Sequence, residues 1–312
     1  MMFYRRCDNL NAENYILLGA IIIASVLLTF GKPGRDLKRK IALTGFICRF
    51  AFFLIFNPIF LLRARLFPGA WKRRKMAAVR TMRRFFPIEI KGHKAQPTKH
   101  GQVFVINHPT LNDPICAIVY ALNQNPDSEI IVPVNLPWFE SICVYREKLR
   151  KIGINIVPIL TPETARRLGD DSEISKVQAG LMKNYITEFM ETLSRGGLAV
   201  VAQQATRRRY LFKDREQAET GADILSTISL ILVAVKKAGL MQQTLFVPVG
   251  VVPHRTDAKA KLNVFKKYTL NIGEPFLAEE LANVKNAAKR PADLYMLQKL
   301  AELLPTVYHI EN

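Results

Sequence analysis

The sequence contains few acidic residues and few cysteines, and both shortages exclude broad classes of protein. Its 312 residues carry 26 Asp and Glu against 45 Lys and Arg, which gives a formal net charge of +19. Such an imbalance predicts a negatively charged partner. The 4 cysteines show no Cys-x-x-Cys spacing, so the sequence indicates neither a zinc cluster nor a disulfide framework. We therefore expect a reducing compartment and no bound metal.

The shortage of acid is most pronounced near the N-terminus. Between residues 32 and 84, fifteen basic residues stand against a single acidic one, Asp36. These charges flank two apolar stretches, residues 15–30 and 41–62, and nucleic-acid-binding domains rarely interleave basic runs with such stretches. The pattern therefore favours anionic membrane lipids as the partner and disfavours nucleic acid.

The two apolar stretches differ in how well they suit a membrane span. A helix over residues 15–30 would extend roughly 24 Å, which is shorter than a hydrocarbon core of about 30 Å. Residues 41–62 contain Arg49 and the helix-disrupting pair Asn57 and Pro58, and a charge at the membrane centre favours a shallow position. Because basic residues follow both stretches, the positive-inside rule predicts one marginal span or dip, then an interfacial helix on the cytoplasmic face. A buried helical hairpin in a soluble protein is the alternative.

From about Phe85 the pattern becomes that of alternating strands and helices. We therefore divide the chain into a membrane-associated basic helical segment, residues 1–84, and an α/β domain, residues 85–312. Short β-branched runs predict six buried strands, at residues 102–107, 129–135, 154–160, 198–203, 244–252 and 268–273. Apolar periodicity of about 3.6 residues predicts helices at residues 114–123, 174–195 and 222–238. Residues 161–173 have the composition of a solvated loop.

A histidine and an aspartate stand where the first of these strands passes into a helix. His108 follows the strand, and Asp113 comes five positions later. A carboxylate can bond one imidazole nitrogen and leave the other to take a proton from a hydroxyl. Two structural alternatives stay open, because Asp113 before Pro114 also suits a helix cap and a lone histidine after a strand is commonly structural.

Four blocks of the sequence, taken in order, resemble the glycerolipid acyltransferases typified by 1-acylglycerol-3-phosphate acyltransferase. Asn107, His108 and Asp113 match that family's Asn-His-x-x-x-x-Asp signature. Three later blocks stand where the family has Phe-Pro-Glu-Gly-Thr-Arg, a Val-Pro-Val strand and a Gly-x-Pro strand: residues 200–212, 245–252 and 270–276. The resemblance covers about residues 85–280. It implies a mixed central sheet flanked by helices, preceded by a membrane-associated helical segment.

The resemblance also implies a reaction, which belongs to phospholipid biosynthesis. A fatty acyl group would pass from acyl-CoA or acyl carrier protein, as co-substrate, to a hydroxyl of a lysophospholipid or glycerol-phosphate-like acceptor, without a further cofactor. His108 would act as general base supported by Asp113, and donors near the helix N-terminus would stabilise the tetrahedral oxyanion. The residues expected to bind substrate are Asn107, Gln204, Thr206, Arg207 and Arg208.

The acceptor block departs from the family pattern. Residues 204–207 read Gln-Ala-Thr-Arg in place of Glu-Gly-Thr-Arg. The change removes an anion that can orient the arginine, and Ala205 adds a Cβ where glycine lets a ligand approach the backbone. Arg208 and Arg209 can supply substitute cations, or the block is a solvated basic turn. A second function class therefore stays open, a non-catalytic lipid-binding or scaffold protein with a decayed acceptor motif.

Overall fold

A computed structural model describes part of the chain: residues 87–93, 101–108, 113–125, 127–143, 146–151, 153–169, 172–203, 210–253, 267–284 and 290–310. The membrane-associated segment predicted for residues 1–84 lies outside these described residues. Within the described ranges, no helix combines the length and the apolar character that crossing a lipid bilayer requires.

The described strands form one mixed sheet. They are β1 (Ile88–Gly92), β2 (Gly101–Ile106), β3 (Ile130–Asn135), β4 (Ile154–Ile159), β5 (Leu198–Ala202), β6 (Thr244–Pro253), β7 (Tyr268–Ile272) and β8 (Phe276–Leu277). Their order is β1-β7-β6-β2-β5-β3-β4, and β8 pairs with β6. Strands β2, β3, β4, β5 and β6 are parallel, whereas β7 and β8 run antiparallel to β6. The mixed sheet is therefore confirmed, with β2 at its centre.

All six predicted strands are present, each within one residue of its predicted bounds. Strands β1 and β8 were not predicted, for reasons that lie in their sequences. β1 reads Ile-Glu-Ile-Lys-Gly and buries none of its residues fully, so it lacks the continuous apolar run of the inner strands. β8 is only two residues long and gives no periodic signal.

Helices connect the strands and cover the sheet. They are α1 (Asp113–Gln124), α2 (Leu136–Ile142), α3 (Arg146–Lys151), α4 (Pro162–Leu168), α5 (Ser172–Ser194), α6 (Arg215–Thr220), α7 (Thr227–Lys237), α8 (Ala278–Ala282) and α9 (Pro291–Glu302). Three of them, α1, α5 and α7, confirm the helices predicted from periodicity. Helix α7 begins five residues later than predicted, because the backbone at Asp223 adopts a positive φ of 55° that a right-handed helix does not accommodate.

The prediction that residues 161–173 form a loop is wrong, since α4 occupies most of this stretch. The Thr164 backbone N–H donates to the Thr161 hydroxyl at 3.3 Å, and Pro162 stands in the first turn. Glu163 and Arg167 pair one turn apart on the surface. The helix buries no side chain, so it needs no apolar face and its composition is as polar as that of a loop. There was therefore no helical periodicity in the sequence to recognise.

Alternate residues of each inner strand face two separate apolar layers. On β2, Val103 and Val105 face the layer that contains α5, α7 and α9, whereas Phe104 and Ile106 face the layer that contains α1. The parallel strands end at one common edge of the sheet, which we call the carboxyl edge. Sheets of this kind bind ligands beyond the carboxyl ends of their strands, so this edge is where a site is expected.

Candidate active site

His108 and Asp113 form a close pair at the carboxyl edge. Strand β2 ends at Ile106, so His108 lies two residues beyond it, and α1 begins at Asp113 itself. The distance from His108 Nδ1 to Asp113 Oδ2 is 3.3 Å. The Asp113 side chain is fully buried, whereas 16% of the His108 side chain is exposed. The fold thus joins a shielded carboxylate to an imidazole that solvent can reach.

This pair has the geometry of a general base with a supporting acid. When His108 donates from Nδ1 to Asp113, the lone pair lies on Nε2, which can then take a proton from a hydroxyl. The separation of 3.3 Å is somewhat long, but catalytic hydrogen bonds are often long before substrate binds. Asp113 also lies in the first turn of α1, where the helix dipole favours a negative charge. Capping and proton transfer are therefore compatible roles for the same carboxylate.

The side-chain amide of Asn107 both donates a hydrogen bond to the backbone of β6 and accepts one from it. Its Nδ2 donates to the Val251 carbonyl oxygen at 3.0 Å, and the Val251 N–H donates to its Oδ1 at 2.6 Å. The bridge extends the pairing of β2 with β6 beyond the last backbone pair, Ile106 with Val249. Asn107 is buried and thus fixes the backbone that carries His108. The predicted contact of Asn107 with substrate stays a prediction.

The remaining residues predicted to bind the acceptor lie outside the described residues. They are Gln204, Thr206, Arg207 and Arg208. Both ends of the chain around them are described. On one side the Gln203 N–H donates to the Ile106 carbonyl at 3.2 Å, and on the other the Leu211 N–H donates to the Tyr308 carbonyl at 2.9 Å. Gln203, the last described residue before them, therefore lies next to the end of the strand that leads to His108.

A second buried carboxylate at this edge, Asp293 on α9, was not predicted. It accepts from Gln203 Nε2 at 3.0 Å, from the backbone N–H groups of Ile228 and Ser229 at 2.7 and 3.1 Å, and from the Ser229 hydroxyl. The Thr227 hydroxyl donates to the Gln203 carbonyl at 3.1 Å. Asp293 therefore caps α7 from another helix and ties it to the end of β5. Its sequence context, two residues after Pro291, signals only an acid in a first helical turn.

Cys116 lies one turn beyond Asp113 on α1 and is fully buried. Burial raises the pKa of its thiol far above the ordinary range, and the nearby Asp113 carboxylate acts in the same direction. The thiolate is the nucleophilic form of cysteine, so a thiol held protonated is a poor nucleophile. Cys116 is thus a packing residue next to the pair.

The described residues contain no group of three His, Cys, Asp or Glu side chains placed to hold a metal ion. Comparison of the chain with models of protein families found no match, and no curated protein matches it.

Proposed function

We propose that the protein is a membrane-associated O-acyltransferase. It moves a fatty acyl group from the thioester of acyl-CoA or acyl carrier protein to a hydroxyl of a lysophospholipid or glycerol-phosphate-like acceptor. The observation that carries the proposal is the pair of a buried Asp113 and a partly exposed His108 at the carboxyl edge, 3.3 Å apart. The exposed part of the ring can meet a substrate hydroxyl while Asp113 stays shielded from water.

In the proposed reaction, His108 Nε2 takes the proton of the acceptor hydroxyl as that oxygen attacks the thioester carbonyl carbon. A C–O bond forms and the carbonyl oxygen becomes an oxyanion. Asp113 stabilises the positive charge that the imidazole acquires. The intermediate then collapses with cleavage of the C–S bond, and the leaving thiolate takes the proton back from His108. General-base assistance of this kind accelerates reactions by about 10²- to 10⁴-fold.

The nature of the substrates is supported by charge and by the N-terminal apolar stretches. A net charge of +19 suits anionic lipids, and it also suits the phosphates of coenzyme A or an acidic acyl carrier protein. Residues 15–30 and 41–62 favour attachment to the membrane in which a lysophospholipid resides. We therefore place the reaction at the cytoplasmic face of a membrane.

A second candidate function is a lipid-binding or scaffold protein without catalysis. It is favoured by Gln204 and Ala205, which replace the glutamate and glycine of the resembled acceptor block. In that case the site would hold a lysolipid but transfer nothing to it.

One assay separates the two candidates. The full-length protein, in mixed lipid–detergent micelles, is incubated with labelled acyl-CoA or acyl carrier protein and a panel of lysophospholipids and glycerol phosphate. We expect a labelled ester product with at least one acceptor, and a loss of about 10²- to 10⁴-fold in His108→Ala. His93→Ala is the matched control, since His93 is exposed and lies before β2.

Two outcomes would contradict the acyltransferase. Binding of a lysolipid without any product across the panel would favour the scaffold. Unchanged transfer by His108→Ala would show that the reaction uses another base.

A further inference from the structure

Strand β6 passes beside the residue that precedes His108 with two consecutive buried residues, Gly250 and Val251. Val251 exchanges two hydrogen bonds with the side chain of Asn107, and Gly250 lies against the chain that leaves α9. Because the two residues are adjacent on one strand, a contact that fixes Gly250 also fixes the backbone that Asn107 bonds.

The amide of Asn107 takes the place of a further backbone pairing between β2 and β6. The last backbone pair is Ile106 with Val249. A longer β2 would bond the N–H and the carbonyl of Val251 with its own backbone, but Asn107 bonds both with its side chain, at 2.6 and 3.0 Å. The backbone can therefore leave the sheet at His108. Only 3% of Asn107 is exposed, so its amide is directed to the strand.

Gly250 has no side chain at the point where the end of α9 packs on β6. A Cβ built there would lie 2.9 Å from Leu303 Cβ and 3.0 Å from the Leu303 carbonyl oxygen, which is closer than such atoms pack. Leu303 is the residue after α9, and its carbonyl accepts from Asn271 Nδ2 at 2.6 Å. Asn271 stands opposite Gly250 on β7, so the end of α9 is held against Gly250.

Leu303 is fixed on both sides along the chain. Before it, the Leu300 side chain of α9 is fully buried in the apolar core. After it, His309 Nε2 donates to the carbonyl of Leu304 at 3.0 Å. A side chain added at Gly250 would therefore displace β6 more readily than it displaces Leu303.

We propose that Gly250 and Asn107 are positioning residues for His108, and that the end of α9 sets through them how far the imidazole projects beyond β2. The inference rests on the proposed function, because it concerns the placement of the general base toward the acceptor hydroxyl. Asn107 then acts through His108 and does not contact the substrate. A misplacement of about 1 Å in a reacting group can cost roughly 10²-fold in rate, so contacts remote from the substrate affect turnover.

The variants that test this role are Gly250→Ala and Asn107→Ala in the full-length protein. Gly180→Ala is the matched control, since Gly180 lies on α5 and an added Cβ there meets nothing within 4 Å. Acyl transfer is measured in lipid–detergent micelles with labelled acyl-CoA and lysophosphatidic acid, each varied in turn. We expect kcat to fall about tenfold in Gly250→Ala and about 10²-fold in Asn107→Ala, with both KM values unchanged, and Gly180→Ala to match the unmodified protein.

The double variant tests whether Gly250 acts through Asn107. If it does, Gly250→Ala should lower kcat little further once Asn107→Ala has removed the bridge to Val251, so the two effects should not add. Additive effects would show that Gly250 reaches the site by another route, against the proposal. A rise in the KM for lysophosphatidic acid in Asn107→Ala, at unchanged kcat, would make Asn107 a substrate contact and would also contradict it.

A spectroscopic measurement reports on His108 without turnover. The chain contains 5 histidines, so protein labelled with carbon-13 at histidine Cε1 gives few signals, and His108→Ala identifies the signal of His108. We expect this signal to shift in Gly250→Ala and in Asn107→Ala, and to stay in place in Gly180→Ala. A shifted signal in a protein without transferase activity would contradict only the proposed function.

Two results in a folded Gly250→Ala protein would overturn the inference. In a protein that transfers acyl groups, an unchanged kcat would show that the placement of His108 does not depend on Gly250. An unmoved His108 signal would show that the end of α9 gives way instead of β6, whether or not the protein is active. Asn271→Ala covers the case in which Gly250→Ala does not fold: it removes the donor to the Leu303 carbonyl without adding an atom to β6, and it should shift the same signal and lower kcat by a smaller factor.

Discussion

The two fully buried aspartates at the carboxyl edge, Asp113 and Asp293, are held in different ways. Each lies in the first turn of a helix. Asp293 accepts from four donors, two backbone N–H groups, an amide and a hydroxyl, none of which changes charge near neutral pH. Asp113 instead contacts the imidazole of His108, which can gain and lose a proton. The same residue type therefore has two different kinds of partner at one edge.

The difference arises from the needs of a buried carboxylate. Removing its charge from water is costly unless hydrogen bonds or an opposite charge compensate. Four neutral donors compensate Asp293 permanently, which suits a structural tie between α7, α9 and the end of β5. Contact with His108 lets Asp113 stabilise a positive charge that exists only while a proton is on the ring. A carboxylate with a titratable partner can thus take part in proton transfer, whereas the four neutral donors to Asp293 give it no such partner.

The comparison of Asp113 with Asp293 predicts its largest effect for Asp113→Asn, which should slow acyl transfer. Asparagine is as good a helix cap as aspartate but carries no charge to stabilise an imidazolium. We expect kcat/KM to fall by about 10²-fold, within the range of general-base effects, while the thermal midpoint stays close to that of the unmodified protein. Full activity in Asp113→Asn would show that the residue is only a cap, and the comparison would fail.

The converse change, Asp293→Asn, should affect stability instead of rate. The amide nitrogen of asparagine is itself a donor, so it would face one of the groups that donate to Asp293 and leave that group without an acceptor. A buried group left unsatisfied lowers the free energy of unfolding by about 1 to 3 kcal/mol. We expect a lower thermal midpoint and near-normal turnover by the molecules that remain folded. Ser229→Ala is the control, because it removes only one hydroxyl donor from the same carboxylate. A large fall in rate without loss of stability would place Asp293 in the catalytic machinery.

The same contrast explains how much of the site could be predicted from the sequence. His108 and Asp113 are five positions apart and meet where a strand passes into a helix, so local pattern suggested the pair and the resemblance to the acyltransferase signature supported it. Asp293 and Gln203 are 90 positions apart, and Asn107 and Val251 are 144 apart. No periodicity in the sequence encodes such contacts, since they depend on which strands become neighbours.

The fold shows a similar division. The inner strands were predictable because both of their faces are buried, which requires continuous β-branched runs such as residues 154–159. Helix α4 was not, because it buries nothing and has the composition of a loop. The order of the strands, with β5 inserted between β2 and β3, depends on packing and has no local signature.

A smaller effect is expected on acceptor binding, and it tests the segment that follows Gln203, the residue bonded to Asp293. Gln203, which Asp293 holds, leads directly into the block that contains Arg207. If that block binds the phosphate of the acceptor, Arg207→Ala should raise the KM for lysophosphatidic acid by about tenfold, the loss of one charge-assisted contact, and leave the KM for acyl-CoA unchanged. Gln204→Glu, which restores the resembled motif, should lower the KM for this acceptor. Unchanged acceptor kinetics in Arg207→Ala would direct the same test to Arg208 and Arg209.

The smallest expected effect concerns Cys116, which shares the buried environment of Asp113. Because burial and the Asp113 charge raise its pKa, the folded protein keeps the thiol protonated where the unfolded chain would ionise it, above about pH 9. The contribution of Cys116 to stability is therefore fully present below that pH and declines as the pH rises further. With Cys7, Cys48 and Cys143 changed to Ser, we expect maleimide at pH 8 to label the unfolded chain and to leave the folded one unlabelled and active. Rapid labelling of the folded protein with loss of transfer would mean that solvent reaches Cys116, so that Asp113 would be less shielded than its burial indicates.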